Sequence, residues 1–458
     1  MPTPPTTFRR DLAAGYAASF TKVASWAAVS AVVYRQLGAE AFAVLVLVRG
    51  TLGVLNHVTL GVAPALLRAV LRADAESAAT ASAVRPGRVL DYETQPPSID
   101  PAVVAIVSAM QLALATLSLG VIIAVAFAAV AGHIFVATGE QAPEFGLFAA
   151  LFGIGLALRV ASDIPAAVLH ARKLFALDAA LLLLADLAWA LWLLIDPPGN
   201  LGGVGATYVT TSIMLVIGRA VAFRVISTWP LRRGRHFCWR TVGGLLAFGG
   251  WVTLANVADF LYAPIDYIIL NRMVGPLAVA AYGPAVQIDA ALLLLVTGLA
   301  TVLLPYAARA SAFNDVAALR KQYVVGTFAS LGLLAVFAVF TWFIAPWLLT
   351  AWLGEVPAGT LAVLPLVLVH TVVGGSSAVG RSVLIGMGRV KALAVSVLVA
   401  GVANVGLSVL LAGPMGLRGV VLATVVVVTA RCGLWMPWYV LRQLREAGAG
   451  AAGKASAG

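Results

Sequence analysis

Charge is scarce in this chain. Only 11% of its 458 residues are Asp, Glu, Lys or Arg, against 61% that are hydrophobic, and the mean hydropathy is +0.98. That balance excludes a soluble globule and leaves a polytopic membrane protein. Cysteine is almost missing. Cys238 and Cys432 supply neither a disulfide framework nor a thiolate metal cluster and read as small apolar fillers. The five histidines, His57, His133, His170, His236 and His370, show no ligand spacing. The sequence also lacks a glycine-rich loop ending in Lys-Ser or Lys-Thr, a credible nucleophile triad, and an outer loop large enough to carry catalytic groups. These absences argue against an enzyme and call for no metal or organic cofactor.

What the sequence has is long apolar runs. About 20 apolar residues cross a bilayer as a helix, because only a helix satisfies its own backbone hydrogen bonds in lipid. Twelve such segments are predicted, from Leu12–Tyr34 at the start to Leu417–Leu441 at the end. Arg9 and Arg10 precede the first, which continues past Lys22 without a cleavage site, so it is expected to be a retained spanning helix. With the amino terminus in the cytoplasm, twenty Lys and Arg residues fall on the inner side and three, Arg35, Arg272 and Arg418, on the outer. This asymmetry predicts that both termini are cytoplasmic. It also accounts for most of the net charge of +11, which is therefore no argument for nucleic acid.

A faint duplication underlies the segments. Arg35 and Gly38 recur as Arg272 and Gly275, 237 positions later; Pro64, Arg68 and Ala69 recur as Pro305, Arg309 and Ala310 at 241; Leu201, Gly203 and Val204 recur as Leu417, Gly419 and Val420 at 216. The predicted organisation is therefore an all-α protein of two six-helix lobes around a central cavity. Residues 1–238 would form the N-terminal lobe, 239–446 the C-terminal lobe and 447–458 a disordered tail. A polar cytoplasmic insertion at about 73–100 reads as a mobile loop.

Ionisable residues inside spanning helices are costly and mark candidate sites. Lys22 and Arg49 sit at comparable depth on adjacent helices, and the repeat offset carries them onto Asp259 and Asp289. One lobe would thus present cations where the other presents carboxylates. An anionic headgroup, ideally a pyrophosphate, would compete with the two aspartates for the cations, and a displaced carboxylate could take up a proton. Arg159 and Arg431 are further candidates for substrate binding. Arg159 is also four residues from Asp163, the spacing of a local ion pair. Asp186 lies at mid-depth and either faces the cavity or closes a lobe. Arg219 is expected to snorkel to phosphate groups, and Asp178 to cap a helix start.

Asn256, Asp259, Asp266, the run Ile268, Ile269, Leu270, then Gly275 and Tyr282 resemble the seventh and eighth helices of polysaccharide flippases of the multidrug, oligosaccharidyl-lipid and polysaccharide exporter superfamily. Pro305, Asp315, Leu319, Gly386, Gly388, Arg389, Asn404, Gly416 and Gly419 are similar to the rest of that C-terminal half. The likeness runs from about Gly243 onward. It implies a two-lobed helical transporter in the bacterial inner membrane that moves undecaprenyl-pyrophosphate-linked oligosaccharide between leaflets. Its partners would be the lipid-linked substrate, membrane lipids and polysaccharide assembly enzymes. A proton or sodium ion would couple transport, with Asp259, Asp266, Asp289 and Asp186 as coupling or gating residues. An ion-coupled drug or small-molecule exporter of the same superfamily is the alternative.

Overall fold

The computed structural model describes residues 6–53, 55, 62–63, 65–66, 69–70, 101–134, 142–172, 174–226, 238–246, 261–313 and 315–456. Asp259 and the insertion at 73–100 lie outside the described residues. Within them the chain is almost wholly helical, and nine stretches are long and apolar enough to cross a membrane. In order, the helices are α1 (Thr6–Leu52), α2 (Pro101–Ile134), α3 (Ala142–Ala161), α4 (Asp163–Ala171), α5 (Phe175–Ile195), α6 (Leu201–Ile226), α7 (Ala263–Met273), α8 (Pro276–Ala312), α9 (Val316–Leu353), α10 (Thr360–Ser376), α11 (Ala378–Gly386), α12 (Val390–Val428) and α13 (Met436–Ser456). A π-helical stretch, Thr429–Trp435, joins the last two.

Two of these helices are each a pair of spans. In α1 the break is Gly38, with φ 87° and ψ 177°. The Arg49 guanidinium lies 3.9 Å from the Trp26 ring, whereas a straight helix would hold these residues about 35 Å apart at 1.5 Å per residue. The halves must therefore run back along each other. In α12 the break is Gly416, with φ 56° and ψ −136°. Gly275, the repeat partner of Gly38, also has positive φ, 119°. The two echoed glycines occupy equivalent turns that a side chain would strain. With both counted twice, the nine apolar stretches make eleven spans, and the described part of α7 leaves room for the predicted twelfth.

The helices pack in two groups. In the first, α1 packs on α5, and α3 packs on α2 and α6; in the second, α8 packs on α10 and α11, α9 on α10, and α12 on α7 and α10. The groups meet mainly through α1, which contacts α7, α8 and α9. One buried cluster crosses this seam, with Phe42, Val46 and Trp189 from the first group and Tyr267, Tyr282 and Leu349 from the second. Glycine permits the close approach: a Cβ on Gly50 would stand 2.7 Å from the Tyr267 ring. One expectation changes. Residues 447–456, predicted as a disordered tail, continue α13 as helix.

Candidate functional site

The first group of helices builds a cationic wall on an aromatic floor. Trp26 meets Trp189 and Phe152 edge-on at 4.9 and 5.9 Å, and Tyr208 stacks on Phe152 at 4.5 Å. Two guanidiniums rest on these rings, Arg49 at 3.9 Å from the Trp26 centroid and Arg159 at 4.6 Å from that of Tyr208. Both are geometries in which a ring quadrupole attracts a cation. Among the described residues Arg49 makes no ion pair. Arg159 pairs through Nη1 with Asp186 and donates from Nε to Ser212 Oγ at 3.0 Å, while its Nη2 is buried without a partner. Lys22 completes the set. Its side chain is exposed, yet it lies within electrostatic reach of Asp186, Arg49, Arg159 and Asp163. Lys22 thus stands among charged groups carried by several helices of the first group.

Two sequence readings are corrected here. Arg159 does not pair with Asp163 four residues on, because the helix breaks at Ser162, between α3 and α4, and Asp186 on α5 takes its place. Arg219 does not snorkel. It is buried and donates from Nε to Asp178 Oδ1 at 2.8 Å, and from Nη1 to Asp163 Oδ1 at 2.9 Å and Ser162 Oγ at 2.7 Å. Asp178, expected as a surface cap, is buried too and contacts His170 Nε2 at 3.0 Å. Burial of these charges is tolerable because each is paired and hydrogen-bonded.

The second group holds two further carboxylates, Asp266 and Asp289. Asp266, at the start of α7, is fully buried. Its oxygens accept from Thr424 Oγ1 at 2.8 Å, and from Ser408 Oγ and Asn404 Nδ2 at 3.2 Å each, and Tyr282 adds another hydroxyl. Among the described residues no cation pairs with it, and Asn404 Oδ1 beside it is buried without a partner. Asp289 accepts from Thr371 Oγ1 at 2.6 Å and lies 4.0 Å from His370 Nδ1. The expected pairing of Arg49 with Asp289 is therefore not formed, since each side chain is engaged within its own group. Arg431, on the π-helical stretch, donates to Tyr262 Oη at 3.1 Å.

The groups are latched at one end. Tyr34 Oη donates to Glu355 Oε1 at 2.8 Å, Trp352 Nε1 to the Ala27 carbonyl at 2.7 Å, and Arg35 to the Ala351 carbonyl. Ser30 and Gln287 also exchange hydrogen bonds between the groups. The sequence alone hid Trp26, Tyr208 and the latch, since contacts between segments leave no local trace. Asn404 and Ser408 are four apart on an apolar helix, a signal that could have marked them.

Two family models match parts of the chain: MatE over residues 252–410 and "Polysaccharide biosynthesis protein" over residues 174–311. Among curated proteins no sequence match is found. Solved structures share the fold over nearly the full length. A multidrug resistance MATE family transporter of the MOP superfamily in its inward-facing conformation aligns with a TM-score of 0.76 at 14% identity, covering 94% of this chain and 96% of that one. An outward-facing structure, also of a multidrug resistance MATE family transporter, gives 0.62 at 16%, covering 96% and 97%. A MOP superfamily transporter from Pyrococcus furiosus, described as having reverse polarity of its binding pocket, gives 0.63 at 16%, covering 98% and 100%. The chain thus shares the fold of these solved MOP superfamily transporters over nearly its full length, and two stretches of it match the two family models.

Proposed function

We propose that this chain is a flippase that moves undecaprenyl-pyrophosphate-linked oligosaccharide from the inner to the outer leaflet by alternating access, for assembly of a cell-surface polysaccharide. The observation that supports this reading is the cluster of Lys22, Arg49 and Arg159, whose two neighbouring carboxylates are each paired, Asp186 with Arg159 and Asp163 with Arg219. A pyrophosphate could take a planar fork from Arg49, the spare Nη2 of Arg159 and the point charge of Lys22. With the amino terminus cytoplasmic, the latched end is the outer one and the cavity opens toward the inner leaflet, where the carrier would load. The higher similarity to an inward-facing relative supports that assignment. Release would require the Tyr34–Glu355 latch to open. Polysaccharide assembly enzymes would act before and after this step.

Asp266 is the coupling group in this proposal. A sealed carboxylate with no counter-cation among the described residues, accepting from the Ser408 and Thr424 hydroxyls and from Asn404 Nδ2, suits a proton or a small hard cation such as sodium. A drug exporter is the second reading, supported by the MatE match and by the carboxylates Asp186 and Asp289. The deciding experiment is complementation of a glycan-export mutant. Lys22→Ala and Arg49→Ala should each abolish surface glycan at unchanged protein level, whereas full complementation by both would remove the anion site.

A further inference from the structure

Arg49 belongs to the first group by sequence, but its half of α1 is clamped to the second. Beyond the turn at Gly38, α1 meets α7 and α8 at two glycines that leave no room. A Cβ on Gly50 would stand 2.7 Å from the Tyr267 ring, and one on Gly283 would stand 3.1 Å from both Phe42 and Val46. Contacts this close shift as units rather than deform. The Arg49 guanidinium meanwhile reaches back to Trp26, whose ring is fixed by Phe152 and Trp189 of the first group. Arg49 therefore has its backbone on one group and its charge on the other. Two aromatic rings lead from there to the sealed carboxylate. Tyr267 is the chain neighbour of Asp266 on α7. Its ring centroid lies 5.3 Å from that of Tyr282, tilted by 58°, and both residues are buried. The Tyr282 hydroxyl is one of the donors to Asp266. A proton or cation arriving at the carboxylate must compete with those donors. Because Tyr282 is packed against Tyr267, and Tyr267 against Gly50, a shift of that hydroxyl is passed to the backbone beside Arg49.

We infer that Tyr267 and Tyr282 are positioning residues that link the anion site at Arg49 to the ion site at Asp266, so that each ligand alters the affinity for the other. The two tyrosines act through different atoms. Tyr267 works through its ring, which fills the space left at Gly50, and Tyr282 through its hydroxyl on Asp266. The effect is reciprocal, because a coupling free energy between two binding sites is the same whichever ligand binds first. This link rests on the roles proposed above for Arg49 and Asp266.

The test is calorimetric binding of geranyl diphosphate to the full-length protein in phosphatidylcholine nanodiscs, in one series across sodium concentration at fixed pH and in another across pH without sodium. Asp266→Asn sets the baseline of each series, since the diphosphate itself titrates. Relative to that baseline, the wild-type affinity should change by about fivefold or more in one of the two series, the lower end of ordinary coupling between sites. Tyr282→Phe should bring the response down to the baseline, whereas Tyr267→Phe, which keeps the ring, should retain it. Gly50→Ala crowds the Tyr267 ring while leaving every polar group in place, and should diminish the response as well. A wild-type response in both Tyr282→Phe and Gly50→Ala would overturn the link and leave the proposed function standing. Wild-type binding with no response beyond the baseline would overturn the link and the coupling role of Asp266, but not the anion site. Failure of the wild-type protein to bind the diphosphate would overturn the anion site and the link with it.

Discussion

The guanidinium of Arg49 lies 3.9 Å from the centroid of the Trp26 ring, although the two residues belong to opposite halves of α1. The turn at Gly38 brings them together, and Phe152 and Trp189 fix the ring from below. A cation held by an aromatic face keeps its hydrogen-bond donors available, which a carboxylate partner would occupy.

Trp26→Leu should therefore impair transport while leaving every charge in place. The lost cation–π contact is about 0.5–2 kcal/mol, which corresponds to a several-fold fall in apparent substrate affinity. Arg49→Lys should do no better than Trp26→Leu, because an ammonium lacks the planar fork. Substrate binding to purified protein checks both.

Arg219→Met should destabilise the first group of helices by about 3–5 kcal/mol, since it strands the buried Asp178 carboxylate. Adding Asp178→Asn should recover part of the loss. Thermal unfolding in detergent, followed by retention of the monomer peak, reads both variants.

Asp266→Asn should uncouple transport from any ion gradient without preventing folding, because the amide preserves the shape of a site packed by Asn404, Ser408 and Thr424. Thr424→Val removes the shortest of those hydrogen bonds, 2.8 Å, and should weaken coupling, while Thr424→Ser should retain it. Gradient-driven transport in proteoliposomes, with proton and sodium gradients imposed separately, distinguishes these outcomes.

Tyr34→Phe and Glu355→Gln each weaken the latch between the groups. A hydrogen bond to a charged acceptor is worth about 1.5–3 kcal/mol, so either change should shift the population toward the state open at that end by roughly tenfold or more. Spin labels placed on α1 and α9, read as a distance distribution, should show a longer component that grows in both variants.

Much of the fold was legible because bilayer physics acts segment by segment. Apolar length gave the spans, and the echoed pair Gly38 and Gly275 marked turns that do carry positive φ. The site was less legible. Lys22, Arg49 and Asp266 stood out as charges in apolar helices, but their partners are set by packing between distant segments. The offset that paired Arg49 with Asp289 assumed that the groups face each other charge to charge, whereas Thr371 and His370 neighbour Asp289 locally. Arg159 and Asp163 had the spacing of an ion pair, and the break at Ser162 separated them. Asp178 and Arg219 looked peripheral by depth, and only the fold brings them together in a buried network with His170.

The most direct measurement is translocation of a fluorescent prenyl-diphosphate-linked oligosaccharide across proteoliposomes of the purified protein, with leaflet occupancy read by membrane-impermeant quenching. Lipid-linked glycan should cross in an ion-gradient-dependent manner, Lys22→Ala and Arg49→Ala should reduce the rate to that of empty vesicles, and cationic drugs should neither cross nor compete. Gradient-driven movement of the drugs, with no movement of the glycan lipid, would contradict the account.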